Sequence, residues 1–194
     1  MPTFIPNPAY GATRIRTNSH SRTRGFVFSL LFAALIAVSA QVAFPVPFTD
    51  VPITLQVLAV LLAGGVLGAR WGTLSVLEYI AAGLAGAPVF AQGKAGLPIF
   101  LGTTGGYLIG FALAAFCVGW ITDRSRSKAA TGAALLIGIF LIWASGSVWR
   151  HYVVGLPWAM VLQTSVLPFV AADLLKAVVA WVLIARTPRL SERR

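Results

Sequence analysis

Apolar residues in this chain fall into long blocks separated by short polar runs, with little of the striping that marks a helix lying on a soluble core. A helix needs about 20 mostly apolar residues to cross the hydrocarbon of a bilayer. On that scale six blocks qualify, at 25–44, 53–68, 71–87, 99–122, 129–149 and 168–185, and each is predicted to be a helix. The second and third are short and separated only by Ala69 and Arg70, which predicts a tight helical hairpin. Pro168 marks the start of the last, because proline is favoured in the first turn of a helix. That helix is then about 27 Å long at about 1.5 Å per residue, just enough to span.

Composition agrees with an integral membrane protein of one domain. Hydrophobic residues make up 58% of the 194 and charged residues only 10%, against roughly 25% charged in an ordinary soluble domain. Mean hydropathy is +0.84. The fold class is therefore an all-α bundle of six transmembrane helices.

The net charge of +10 invites a nucleic-acid reading until the charges are placed. With the N-terminus inside, 12 basic residues fall on the inner side (Arg14, Arg16, Arg22, Arg24, Arg70, Arg124, Arg126, Lys128, Arg186, Arg189, Arg193 and Arg194). The outer loops receive Lys94 and Arg150, and Lys176 is left within the membrane. This is the positive-inside distribution, with both termini cytoplasmic. The basic excess reads as topology, and no nucleic acid is expected. Residues 1–24 read as a flexible basic tail, 25–186 as the membrane domain and 187–194 as a second basic tail. The first block, with "AVSA" at 37–40, also has the outline of a cleavable signal peptide. Five further spans follow it instead of a soluble domain, so it is read as a retained helix.

Few residues are available for catalysis. Cys117 is the single cysteine, and His20 and His151 are the only histidines, far apart. No metal is expected. A phosphate-binding P-loop needs Gly, four residues, then Gly-Lys-Ser/Thr, and "GAPVFAQGKA" lacks that spacing. In "GTTGGYLIG", Gly106 and Gly110 fit a close helix–helix contact better than a phosphate cradle. No nucleophile or paired-carboxylate motif stands out, so neither an enzyme nor a cofactor is expected.

The charges within the apolar blocks are more informative. Asp173 and Lys176 are three apart and share a helix face. A charge near the bilayer centre costs about 2.5–3.5 kcal/mol on insertion scales, and such residues usually serve sites or pathways. The pair is therefore either a mutually neutralised structural element or a polar ligand site. Glu78 and Tyr79 are adjacent, so they point about 100° apart and at most one faces a pocket. Thr54 and Gln56 add polar capacity nearby. The stretches at 44–54, with three prolines, and 86–98, with Lys94, suggest a lid over a pocket. On the first helix Ser29, Ala33 and Ala37 make a strip of small residues, either for packing within the bundle or for docking another membrane subunit.

Four ordered motifs then stand out: "AQVAFPVPFTDVPITLQVLAVLLAGGVLGARWG", "GAPVF", "GTTGGYLIGFALAA" and "PFVAADLLKA". Together they resemble the BioY family, the biotin-binding S components of energy-coupling factor (ECF) transporters, over roughly residues 26–185. "GTTGGY" departs from the family's "GPTGGY", and Glu78 stands where the family is usually apolar. The resemblance implies a six-helix substrate-capture subunit in a prokaryotic plasma membrane. It implies biotin as ligand, and as partners a membrane coupling (T) subunit and ABC-type ATPases. The family's alanine-xxx-alanine docking motif matches Ala33 and Ala37, and its site contains the Asp173–Lys176 pair. Biotin's ureido group has two N–H donors and a carbonyl, which an aspartate and a lysine complement. Lys94 is a candidate for the tail carboxylate, with Tyr79 and Gln56 as neutral donors. Thr49, Phe48, Phe90 and Trp158 complete the expected lining. Two other readings are an S component for a different vitamin and a membrane-embedded enzyme using Glu78, Asp173 and Lys176.

Overall fold

The computed structural model describes residues 19–47, 49–125 and 127–187, with side chains from residue 22 onward. Helix α1 covers Ser19–Gln41, and a β-hairpin follows as β1 (Ala43–Val46) and β2 (Thr49–Thr54). Then come α2 (Gln56–Leu84), α3 (Leu97–Leu101), α4 (Gly105–Arg124), α5 (Lys128–Tyr152), α6 (Trp158–Ser165) and α7 (Val170–Arg186). Among the described residues five helical stretches are long and apolar enough to cross a membrane. Large apolar side chains such as Leu31, Val38, Phe140 and Leu175 lie exposed on the outside. That surface is disfavoured in water and suited to lipid.

Helix α2 is not straight. Gly68 interrupts it with φ 81° and ψ 177°, and the chain folds back on itself. A Cβ added to Gly72 would lie 2.6 Å from the Ala63 carbonyl oxygen, although the two are nine positions apart. Further along, the Gln56 and Tyr79 side chains meet at 2.6 Å, where a continuous helix would separate them by about 35 Å. The arms 56–67 and 69–84 are therefore antiparallel, as the short linker predicted. At the turn the Asp123 Oδ2 accepts the Ala69 N–H at 3.0 Å, which satisfies a free donor at the start of the second arm.

The two arms of α2 pack against α4, α4 packs against α5, and α1 and α7 flank this centre. Gly106 and Gly110 allow the α4–α5 approach expected of them. A Cβ at Gly106 would be 2.2 Å from Trp149 Cβ, and one at Gly110 would be 2.8 Å from Ile142 Cα. Arg124, Lys128 and Arg186 terminate helices at one end of the bundle, and Arg70 follows the α2 turn there. The β-hairpin, the segment 85–104 and α6 form the other.

Several boundaries differ from expectation. Residues 19–24, assigned to a flexible tail, already belong to α1, because helix continues past the apolar block to the polar end of the bundle. Residues 1–18 and 188–194 lie outside the described part. The block 99–122 is divided, with Gly102 extended between the short α3 and α4. The proline-rich stretch 44–54 excludes helix as expected but forms a two-stranded ribbon, in which every strand is an edge and prolines are tolerated. Before α7, Val166 is non-helical and a 3-10 turn carries Pro168, close to the predicted start. Arg150, assigned to an outer loop, sits in the last turn of α5 and is buried.

Candidate functional site

At the hairpin end the bundle encloses a cavity of about 160 Å³. A single water needs roughly 10–15 Å³ on this measure, so the space takes an organic molecule. Its walls come from β2, both arms of α2, the 90–94 loop, α3, α4, α5 and α7.

The polar floor is made by α7. Asp173 lies in the first turn of that helix, where the positive end of the helix dipole favours a carboxylate. One turn on, Lys176 Nζ donates to Asp173 Oδ1 at 2.8 Å. Trp143 Nε1, from α5, donates to Oδ2 at 2.9 Å. Asp173 is 2% exposed and Lys176 7%. A carboxylate offers about four lone-pair sites and an ammonium three donors. Each group therefore keeps capacity beyond this contact, and both line the cavity.

A second polar group comes from the α2 hairpin. Gln56 Nε2 donates to the Tyr79 hydroxyl at 2.6 Å, and Thr54 Oγ1 donates to Gln56 Oε1 at 3.2 Å. With its oxygen accepting from Gln56, the Tyr79 hydroxyl proton is free to serve a ligand. Phe90 stands edge-on to the Tyr79 ring at 5.6 Å. Apolar walls come from Val57, Leu108, Phe111, Ile142 and Phe169, with Tyr107 tilted against Phe169.

The predicted site residues divide clearly. Asp173, Lys176, Lys94, Tyr79, Gln56 and Phe90 all line this one cavity. Thr49 does not; its hydroxyl accepts a hydrogen bond from Arg150 Nη1 at 3.0 Å. Nor does Trp158, which is half exposed and stacks on His151 at 4.3 Å. Phe48 lies outside the described residues. Of the adjacent pair, Tyr79 faces the cavity and Glu78 faces α1, where Ser29 Oγ donates to its Oε1 at 2.9 Å. Ala33 and Ala37 are half-buried and pack on the core of this bundle.

Three participants gave no usable signal in the sequence. Trp143 and Tyr107 are aromatic residues inside apolar blocks, like many that only pack. Gln41, at the end of α1, clasps the 89–93 loop. Its Nε2 faces the carbonyls of Val89 and Phe90 at 3.3 and 3.2 Å, and its Oε1 accepts the Gly93 N–H at 3.0 Å. The loop it holds contains Gln92 at φ 63°, an uncommon conformation for a residue other than glycine.

The sequence profile of the BioY family matches residues 13–193, nearly the whole chain. The chain belongs to the BioY family. The biotin transporter BioY of Thermotoga maritima is 40% identical over 165 residues, covering 84% of this chain and 95% of its own. The biotin transporter BioY of Rhodobacter capsulatus is 44% identical over 170 residues, covering 81% and 88%. Among solved structures, the S-component for biotin from an ECF-type ABC transporter superposes with a TM-score of 0.82 at 27% identity. That match covers 89% of this chain and 96% of the other. This member of the family thus has a mostly helical S-component fold, with the Asp173–Lys176 pair in its enclosed cavity.

Proposed function

We propose that this chain is the biotin-capture subunit of an ECF-type uptake transporter. The observation that carries the reading is the Asp173 carboxylate, buried with Lys176 and Trp143 at the floor of a cavity that is otherwise mainly apolar. A ureido ring meets that floor with its N–H groups toward Asp173 and its carbonyl toward Lys176. The Tyr79 hydroxyl is a further donor beside it. Phe90, Phe111 and Phe169 cover the apolar fused rings, as clefts for small molecules are mostly apolar. Lys94, exposed at the mouth, draws the anionic tail toward the site. The names and the fold of its relatives point to the same ligand.

The two arms of α2 count as separate passes, which makes six with both termini cytoplasmic and the cavity facing outward. That arrangement places the basic turn of α2 and the basic ends of α4 and α7 inside, as the positive-inside rule requires. A membrane coupling subunit and ABC-type ATPases supply the energy, and the Ala33–Ala37 strip on α1 is the docking face. The site in the membrane is one for binding, with no turnover.

The test is calorimetric titration of the purified full chain in detergent with biotin, thiamin and riboflavin. Biotin alone binds, without ATP, and Asp173→Asn abolishes or greatly weakens it. A folded wild-type protein that binds thiamin or riboflavin in preference to biotin overturns the choice of ligand.

A further inference from the structure

Arg150 is a charged side chain beside the cavity that the reading above leaves without a role. It is 3% exposed, in the last turn of α5. Its Nη1 donates to the neutral Thr49 hydroxyl at 3.0 Å, and its Nε has no hydrogen-bond partner in the protein. Among the described residues the single carboxylate–cation contact within salt-bridge distance is Lys176–Asp173, so no carboxylate is ion-paired with Arg150. A guanidinium cannot shed its proton to escape burial. A buried charge without a counter-charge is among the costliest arrangements in a protein interior.

The position explains what such a charge can do. Arg150 lies beside the hydroxyl of Tyr107, a wall residue of the cavity. Through Thr49 it also holds the strand whose next residue, Asp50, lines the cavity. In this corner the hydroxyl of Ser147, on the same face of α5, is buried without a partner. The Ser165 carbonyl accepts the Tyr107 hydroxyl at 3.0 Å, which joins that corner to the wall.

Charge around the cavity does not cancel. Asp173 neutralises Lys176 at the floor, and the other two charged lining residues, Asp50 and Lys94, are one of each sign. Glu78 faces α1 and contributes nothing here. Arg150 remains, one buried positive charge behind the wall. Lys94 is exposed and screened by water and salt, whereas a field from within the wall acts through the apolar lining.

We propose that Arg150 is a specificity-determining residue that makes the cavity select a ligand with one negative charge, a monocarboxylate, over its uncharged amide. The inference rests on the biotin reading. With the ureido ring on the α7 floor, the tail of the ligand extends toward β2, Tyr107 and the rim, where Arg150 supplies the missing counter-charge.

The experiment compares biotin with biotinamide, which differs only in its neutral tail end, on the full chain in nanodiscs. Wild type prefers biotin by on the order of tenfold or more. Arg150→Gln removes most of that preference by weakening biotin, with biotinamide held within about twofold, and Arg150→Lys keeps much of it. Equal loss for both ligands in Arg150→Gln marks a purely structural tie and overturns the proposal, as does no change for either. Lys94→Gln guards against misfolding of the first variant. A preference that survives it supports Arg150, and one that vanishes belongs to Lys94 and overturns the proposal. Wild-type protein that binds both ligands equally also overturns it, while wild type that binds neither overturns the biotin reading itself.

Discussion

Asp173 and Lys176 are each less than a tenth exposed and are joined at 2.8 Å, so removing either leaves the other as a buried charge. Breaking a buried pair from one side costs about 3–5 kcal/mol, whereas replacing both members is often close to neutral. Asp173→Asn leaves the Lys176 ammonium facing an amide, and Lys176→Met leaves the Asp173 carboxylate with the Trp143 indole as its remaining donor. Each single variant is expected to lose about 3 kcal/mol of resistance to unfolding, and the double variant about 1 kcal/mol, a coupling near 5 kcal/mol that additivity does not allow. Ligand binding follows another pattern. A hydrogen bond to a charged group contributes about 1.5–3 kcal/mol, so losing the aspartate's bonds to ureido N–H groups costs roughly 10- to 100-fold or more in affinity. The double variant therefore recovers stability without recovering biotin. Denaturant titration followed by tryptophan fluorescence reads the first quantity and calorimetry the second. Stability losses that simply add in the double variant refute the coupling. A double variant with wild-type affinity refutes a ligand role for the pair.

The remaining expectations concern the scaffold. Gln41→Leu keeps the size of the side chain but releases the 89–93 loop, so biotin dissociates faster by about five- to tenfold with a smaller change in association; unchanged dissociation in stopped-flow fluorescence would show that the clasp is idle. Gly68→Ala forces a side chain into φ 81° with its Cβ 2.7 Å from Asp123 Oδ1, a cost of about 2 kcal/mol or more, and a melting temperature equal to wild type contradicts this. Gly106→Val drives atoms into Trp149 and the Ser145 carbonyl, an overpacking cost of about 1–3 kcal/mol. Its signature is a lowered yield of folded protein on size-exclusion chromatography, which a normal elution profile would rule out.

Helices were legible in the sequence because hydrocarbon imposes a length and a polarity on each block. The α2 turn was legible for a similar reason, since two polar-flanked apolar runs leave Ala69–Arg70 no room for more than a reversal. The β-hairpin was not, because its two strands are short, carry prolines and lack a clean alternation. The site was half legible. Asp173 and Lys176 announced themselves as charges in an apolar block, Gln56 and Phe90 lay within the motifs, and Tyr79 and Lys94 stood out beside Glu78 and on the 86–98 loop. Arg150 reads as a loop residue because it directly follows the apolar block 129–149, and nothing in its neighbours shows that Thr49, 101 positions away, covers it. Thr49 and Trp158 failed as lining for the opposite reason, being near the right segments but turned toward Arg150 and His151.

Those details bear on how the mouth and the floor of the cavity are held. Two elements with different attachments border the cavity. The β-hairpin is tied to α5 through Thr49 and Arg150, and the 90–94 loop is tied to α1 through Gln41. Helix α1 is also the element with the Ala33–Ala37 strip, and midway along it Ser29 is clamped to Glu78 on the second arm of α2. A displacement of α1 therefore acts on the loop carrying Phe90 and Lys94 before it acts on the floor. The floor depends on α5 and α7, through Trp143 and the Asp173–Lys176 pair, and has no comparable tie to α1 among the described residues. The two halves of the site are thus held separately, so that a shift of α1 reaches the mouth while the Trp143–Asp173–Lys176 floor keeps its hydrogen bonds.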